Sequence, residues 1–343
     1  MRIGITVPYS GRVPVADLRR LVEGADRLGY DAVWAPEVYG TDAFTLLADF
    51  AARTNRIRLA TGIANIFART PAMLAQTVAS LDLLSGGRVI LGLGTSGHQV
   101  VEGWHGMPFA QSLQRLRETI EIVRLVLRRD PLHYEGSVYR LTGGLRLITH
   151  PPRQQVPIYL ASLTPGGLAL TGELADGWLP IFYAAGLTDR LLRPHLEQGA
   201  ARAHRSLDDL DICAMQAVVV ADDVSAARDA ARPHLALYVG GMGSRRKNYY
   251  NALFCQYGFE EIAARVQDLY LEGHHREAVS LISDEMVDLV TICGPLERCR
   301  ERLQQLAATG LGAVALQLQA LGDEQAMAAA VTGLSPAALE AAA

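Results

Sequence analysis

The sequence lacks the features that would place the protein in a membrane or in an oxidising compartment. It contains no run of about 18 apolar residues, the length that spans a bilayer. Its start, MRIGITVPY, has no apolar signal region. None of its four cysteines belongs to a CxxC pair, which is typical of reduced thiols rather than of disulfides or zinc sites. We therefore expect a cytoplasmic protein that has no membrane partner.

The sequence also lacks a basic excess and the common catalytic motifs. Its formal net charge is −4, whereas a protein that grips nucleic acid normally shows a basic face. It contains no HxH or HExxH pair and no GxSxG motif, so neither a metal site nor a serine nucleophile is predicted. Local amides and a few arginines could still hold an anionic cofactor.

Short apolar runs that alternate with helical runs fill the 343 residues. Runs of this kind are typical of parallel strands covered on both sides, and the repeated β-then-α order favours a barrel or a doubly wound sheet. Because there are eight such predicted strands, the sequence favours an α/β fold of the (β/α)8 TIM-barrel type. The predicted strands are 3–8, 31–35, 57–62, 89–93, 157–161, 178–182, 212–220 and 313–318.

Two regions interrupt this rhythm, about 133–149 and about 233–286. The first is rich in glycine and aromatic residues and predicts a small β excursion, and the second predicts a mostly helical insertion. Insertions in βα loops lie at the carboxyl-end mouth of a barrel, where active sites lie. No linker is visible, so we predict one domain over residues 1–343.

The stretch from Gly92 to Gly97 satisfies GxGxxG, but it follows the fourth strand rather than the first, which argues against the dinucleotide fingerprint. Its glycines would still let backbone amides approach an anion or a flat ring; a tight turn without a ligand is the alternative. Glu37 closes the second strand, at the end where catalytic groups lie. His98 stands in the glycine-rich loop, where a lone histidine often faces solvent. We take Glu37 and His98 as the candidate catalytic residues.

Several stretches together resemble the bacterial luciferase-like oxidoreductases, specifically the branch that uses coenzyme F420. The resemblance covers most of the chain and rests on specific combinations such as Leu-Ser-Gly-Gly-Arg and Gln-Val-Val-Glu-Gly-Trp. The stretches are 61–65 with 69–71, 81–94, 97–104, 174–178 and 236–243.

The resemblance implies a deazaflavin site at the mouth of the barrel. It implies a non-prolyl cis peptide at Gly62–Ile63 that backs the deazaflavin ring, and a loop beside the ring. It further implies a phosphate-holding loop after the fifth strand. The loop beside the ring comprises Gly94, Thr95, Ser96 and Gly97, with Gln99 nearby. The phosphate loop includes Ala161, Ser162, Leu163 and Gly166, with Asp176 and Gly177 packed beside it.

The resemblance also implies hydride transfer between coenzyme F420 and an organic substrate, either a small molecule or one borne on a peptide. One subset of the family carries an Asp-His pair where this chain has Glu37-Val38, and a catalytic Glu where it has Gly97. We therefore expect reduction of an activated C=C, C=N or C=O bond rather than sugar-phosphate dehydrogenation. An FMN-dependent monooxygenase and a non-catalytic deazaflavin-binding barrel are the alternatives.

Two further expectations concern the surroundings of this site. The glycines and aromatic residues between about 240 and 250 predict a mobile lid over the substrate side. Arg245, Arg246 and Lys247 in this segment are expected to reach toward an anionic cofactor tail. We also expect the chain to form a homodimer.

Overall fold

Eight parallel strands close into a barrel in the computed structural model, which describes residues 1–8, 13–320 and 324–341. Going round the barrel, each strand pairs with the next and the last returns to the first. The predicted TIM barrel is confirmed. In this order the strands are β1 (Arg2–Thr6), β2 (Ala32–Ala35), β3 (Arg58–Thr61), β5 (Val89–Gly94), β8 (Ile158–Leu160), β9 (Gly177–Trp178), β10 (Asp211–Val220) and β12 (Ala313–Ala320).

Four short strands lie outside this ring. β4 (Ala64–Asn65) follows β3 after a two-residue bulge and pairs with β5. β6 (Tyr134–Glu135) and β7 (Arg140–Leu141) form a small antiparallel hairpin, which confirms the β excursion expected at 133–149. β11 (Thr291–Gly294) pairs with the last four residues of β10 and is not among the predicted strands.

Helices surround the barrel and pack apolar faces on it. The first seven are α1 (Val15–Arg27), α2 (Ala43–Ala51), α3 (Pro71–Ser85), α4 (His98–Gly103), α5 (Ser112–Leu127), α6 (Pro165–Leu174) and α7 (Leu187–Arg202). They are followed by α8 (Val224–Ala236), α9 (Tyr249–Phe254), α10 (Glu260–Leu271), α11 (His275–Ser280), α12 (Asp284–Val290), α13 (Leu296–Ala308), α14 (Glu324–Gly333) and α15 (Pro336–Ala341). The insertion predicted at 233–286 is helical, as expected, and includes two π-helical segments, Leu237–Gly241 and Cys255–Phe259.

Side-chain caps fix where the helices at the barrel mouth begin. Asp42 accepts a hydrogen bond from the Thr45 N–H (2.6 Å) at the start of α2, and Thr70 accepts one from Met73 N–H (3.4 Å) at the start of α3. Each cap satisfies an N–H group that has no partner within the helix. The entry points of α2 and α3, and hence the loops that precede them, are thereby set.

Charged side chains close the amino end of the barrel. Arg2 pairs with Asp31 (3.5 Å) and with Asp211, and Arg58 also pairs with Asp31. The Tyr159 hydroxyl donates to Asp211. These residues belong to strands or strand starts spread around the ring, so their mutual bonds occupy the amino end and leave the carboxyl end for a ligand. None of the helices in the described part of the chain is long and apolar enough to cross a membrane.

The Thr61 hydroxyl ties β3 to β5 at the level where the candidate site begins. It donates to the Gly92 carbonyl oxygen (2.7 Å) and accepts from the Gly92 N–H (2.9 Å), and Thr61 is fully buried. Gly92 is required for this approach, since a Cβ atom there would lie 1.9 Å from the Thr61 carbonyl oxygen.

We predict that Thr61→Val destabilises the protein by about 2 kcal/mol or more, because it leaves two buried backbone groups of Gly92 without their partner. Urea unfolding followed by circular dichroism measures the change. The matched control is Thr77→Val on α3, where the hydroxyl only returns to the Met73 carbonyl oxygen of its own helix (2.9 Å). Equal effects of the two substitutions would contradict the role given to Thr61.

Candidate active site

A cradle of small residues lies at the carboxyl ends of β3, β5 and β8. The Gly62–Ile63 peptide bond is cis, as predicted. A Cβ atom on Gly62 would lie 3.2 Å from Trp34 Cβ, and one on Gly94 would lie 3.0 Å from Ile63 Cδ1. Ala161, like Ile63, packs against the buried cluster inside the barrel that contains Trp34. Small residues thus occupy this level on three adjacent strands, which lets a flat ligand approach the backbone closely.

Asn65, next to this cradle, has an amide nitrogen without a partner. It pairs in parallel register with Gly94, and paired residues of neighbouring strands face the same side of a sheet. Asn65 is 2% exposed, its Oδ1 accepts from the Phe67 N–H (2.9 Å), and its Nδ2 has no partner. A buried hydrogen-bond donor without an acceptor lowers stability by about 1–3 kcal/mol. An acceptor oxygen on a bound ligand would remove this cost, so the Asn65 amide fits such a ligand.

The loop after β5 begins as predicted but ends in a short helix. Ser96 has φ 55°, in the left-handed region, and Thr95 Oγ1 donates to its carbonyl oxygen (3.3 Å). Gly97 is the N-cap residue of α4, and a Cβ atom there would meet no atom within 4 Å. The stretch expected to be a glycine-rich loop therefore turns into α4 at residue 98, and Gly97 leaves open space beside the cradle.

His98 and Gln99 lie on the first turn of α4 and make different contacts. The His98 ring packs edge-on against Phe109, with centroids 6.5 Å apart. Gln99 Nε2 donates to the Gly243 carbonyl oxygen (3.4 Å), which joins this turn to the helical insertion. Gln99 is therefore a link between the loop beside the cradle and the segment expected to act as a lid.

The loop after β8 leads into the amino terminus of α6. Thr164 caps this ten-residue helix by accepting from the Gly167 N–H (3.2 Å). A Cβ atom on Gly167 would lie 2.0 Å from Ser162 Oγ, and one on Gly166 would lie 3.1 Å from a side-chain carbon of Leu113. Leu163 packs onto the core. The predicted residues of this loop thus lie together, at the same end of the barrel as Ala161.

Asp176 and Gly177 were assigned to the wrong end of the barrel. The Asp176 carboxylate accepts from the N–H of Ile158, the first residue of β8 (2.9 Å), and pairs with Arg124 (3.1 Å). A Cβ atom on Gly177 would lie 2.3 Å from the Tyr159 ring. Asp176 immediately precedes β9 and Gly177 begins it, both at the amino ends of the strands. They serve packing and strand pairing there, and we withdraw them as cofactor-binding residues.

Glu37 stands at the carboxyl end of β2, as predicted, but it is held in an ion pair. Arg69 donates to both Glu37 oxygens (2.8 Å each) and also pairs with Asp42. The Asn65 N–H lies 3.4 Å from Glu37 Oε2, which places this ion pair next to the cradle. The Arg69 guanidinium also covers the Phe44 ring at 4.8 Å.

The charge of Asp42 is fixed by its neighbours. Partial burial opposes ionisation, yet hydrogen bonds from Thr45 and the charge of Arg69 hold the pKa of Asp42 below its ordinary value. Asp42 is therefore ionised at neutral pH. With Glu37 it places two carboxyl groups around one guanidinium at the mouth.

A cavity of about 260 Å³, here called the mouth pocket, opens beside this ion pair. It is formed by the loop after β2, the start of the β4–α3 connection, and the end of α4. Its residues are Glu37, Val38, Tyr39, Gly40, Thr41, Asp42, Ala68, Arg69, Trp104 and His105. Within the described ranges, no three His, Cys, Asp or Glu side chains form a group that could hold a metal ion.

The segment expected to be a lid is tied into the insertion at several points. Arg245 pairs with Asp268 of α10, so this side chain already has a carboxylate partner. Asn248 Nδ2 donates to the carbonyl oxygens of Tyr238 (3.0 Å) and Val239 (2.9 Å). Motion of this segment stays a prediction, which hydrogen exchange with and without cofactor would check.

Comparison with known proteins decides the family. The family model described as luciferase-like monooxygenase matches residues 1–312. The chain belongs to this family. It is 40% identical to Rv3520c of Mycobacterium tuberculosis, which carries the name of a coenzyme F420-dependent oxidoreductase, over 91% of this chain and 93% of that protein. It is 28% identical to the 5,10-methylenetetrahydromethanopterin reductase of Archaeoglobus fulgidus, over 86% and 87% of the two chains.

A solved structure confirms the architecture. The coenzyme F420-dependent tetrahydromethanopterin reductase from Methanopyrus kandleri superposes with a TM-score of 0.82, covering 97% of each chain at 24% identity. At this level of identity the likeness shows the shared fold of the luciferase-like barrel. The resemblance inferred from the sequence motifs is confirmed.

Two side chains of this site carried no role in the sequence prediction. Asn65 ends the motif 61–65 and Arg69 opens the motif 69–71, but motif matching alone does not say which way a side chain points. A polar residue in the otherwise apolar run after β3 is the signal that marks Asn65. Arg69 has no comparable signal, because its pairing with Glu37 joins residues 32 positions apart.

We predict that Arg69 and Glu37 stabilise each other measurably. In a double-mutant cycle with Arg69→Met and Glu37→Gln, urea unfolding should give a coupling of about 1 kcal/mol or more, because the pair is bidentate and mostly buried. The matched cycle on Arg140 and Glu135, each 75% exposed, should give a coupling near zero. A coupling in the first cycle no larger than in the second would refute the assignment.

Proposed function

We propose that the protein is a coenzyme F420-dependent oxidoreductase that transfers hydride between a bound deazaflavin and an organic substrate. The observation that carries the proposal is the Asn65 amide, buried and unpartnered in a cradle of glycines. Relatives named for this cofactor, including one at 40% identity, support it. The predicted cofactor residues Gly62, Ile63 and Gly94 line the same cradle.

The residues present fit a deazaflavin. Its ring is flat and bears carbonyl oxygens, which match a cradle without side-chain bulk and a free amide donor. When bound, the deazaflavin supplies hydride chemistry in two-electron steps and reacts poorly with oxygen. The chain would hold the ring against Ile63, donate to it from Asn65, and border it with residues 94–97. Holding the reacting carbons within reach is the main contribution that such a protein makes.

The cofactor's anionic tail would lie at the amino terminus of α6. Backbone N–H groups at a helix start and the helix dipole favour a phosphate. Ala161, Ser162, Leu163 and Gly166 would border it. Ser162 Oγ lies only 2.0 Å from where a Cβ atom on Gly167 would be, which places the Ser162 hydroxyl at the first turn of α6.

Glu37 and His98 would act on the substrate. Arg69 donates to both Glu37 oxygens, so Glu37 would orient a substrate N–H or O–H group rather than deliver a proton. His98, on the first turn of α4, would be the proton donor for a neutral C=C or C=O acceptor. The substrate would be a small molecule or a group borne on a peptide.

A homodimer remains part of the proposal. Leu83 and Leu84 near the end of α3 are 53% and 66% exposed, and a second copy could cover them. Light scattering that gives only the monomer mass would contradict it.

We predict that the protein binds oxidised coenzyme F420 more tightly than FMN in equilibrium titration. Reduced coenzyme F420 should be oxidised in the presence of at least one member of a panel of enones, imines and ketones. Tighter binding of FMN would favour the monooxygenase alternative. Tight binding of coenzyme F420 without turnover of any panel member would favour a non-catalytic binder.

We predict that Asn65→Asp weakens coenzyme F420 binding at least about tenfold, or about 1.4 kcal/mol. The new carboxylate keeps an acceptor for the Phe67 N–H and removes the donor.

Gly97→Ala should also weaken coenzyme F420 binding, because the added methyl group fills the space beside the cradle. It should change the free energy of unfolding little. Gly103→Ala is the matched control, since a Cβ atom there also meets nothing within 4 Å. Unchanged affinity in Asn65→Asp and Gly97→Ala would remove the cofactor from this cradle.

A further inference from the structure

The mouth pocket adjoins the proposed hydride-transfer site but is separate from the cradle. Glu37 lines the pocket and also lies 3.4 Å from the Asn65 backbone nitrogen. A group in the pocket would therefore lie on the substrate side of the cradle. No residue that we assign to cofactor binding is among the residues that line the mouth pocket.

Two aromatic side chains form the outer wall of the mouth pocket. Tyr39 is 58% exposed and Trp104 is 65% exposed, and their ring centroids are 6.4 Å apart. They reach this contact from the loops after two different barrel strands. Exposed aromatic rings beside a cavity are typical of surfaces that bind a ligand, and their flat faces favour a planar one.

The inner wall of the mouth pocket is acidic. Its lining holds two carboxylates, Glu37 and Asp42, against one guanidinium, Arg69; the imidazole of His105 also lines the pocket. Arg69 is 18% exposed and directs both terminal nitrogens at the carboxylates. Asp42 is 41% exposed and so keeps a carboxylate surface toward the pocket. An anionic ligand would be repelled here, whereas a cation would be attracted by the carboxylates and by the aromatic faces.

We propose that the mouth pocket binds a planar, positively charged nitrogen group of the substrate, such as a ring iminium. This inference rests on the proposed function for the ligand being the substrate, but not for the binding itself.

The test measures binding without any cofactor, so that its outcome is independent of the proposed function. N-methylquinolinium chloride is the cationic probe, and quinoline at pH 8 is its neutral analogue of similar shape. Isothermal titration calorimetry should show the cation binding about tenfold more tightly, with an affinity that falls as salt is added. Equal affinity for the two probes would overturn the proposal.

Variants locate the binding in the mouth pocket. Asp42→Asn keeps the helix cap and removes the charge, and Trp104→Ala removes one aromatic wall; each should weaken binding of the cation about fivefold or more. Asp223→Asn is the matched control for the first, because Asp223 caps α8 in the same way (2.7 Å to the Ala226 nitrogen). Leu84→Ala is the control for the second, since Leu84 is 66% exposed on α3.

The proposal is overturned if the two pocket variants bind the cation no more weakly than their controls. If the cation binds as expected and coenzyme F420 does not bind, the proposed function fails and the pocket assignment stands. If coenzyme F420 binds and the cation shows no preference over quinoline, the pocket assignment fails alone.

Discussion

The two hydrogen bonds between the Thr61 hydroxyl and the backbone of Gly92 fix the geometry on which the site depends. They hold the end of β3 against the middle of β5 in a fully buried position. Gly62 and Ile63 follow Thr61 directly, and Asn65 then pairs with Gly94 of the same strand. Gly92 permits it because any side chain there would collide with the Thr61 carbonyl oxygen.

The two ends of the barrel differ in composition, because one is lined by charged side chains and the other by small residues. Ion pairs among Arg2, Asp31, Arg58 and Asp211 fill the amino end and satisfy one another. Glycine and alanine occupy the carboxyl end, where the buried Asn65 amide nitrogen has no partner. An unpartnered buried donor destabilises the free protein, and a ligand that pairs with it would remove this cost.

The fold could be predicted because each strand is a short apolar run with its own turn residues, and the cis bond because the family resemblance marks its position. Asn65 could not be given a role, since its direction follows from the register with Gly94, which no local pattern contains. Glu37 was recognised by its place at a strand end, but its partner Arg69 comes from another loop. Asp176 could have been placed correctly: it precedes the sixth predicted strand and so belongs to the amino end.

A structure of the complex with coenzyme F420 would show whether the cradle holds the deazaflavin. We expect the ring to rest against Ile63, with one of its oxygens within about 3 Å of Asn65 Nδ2, a normal hydrogen-bond distance. The mouth pocket would then stay free for the substrate. A ring bound elsewhere on the barrel, or an Asn65 amide still without a partner in the complex, would refute the role given to the cradle.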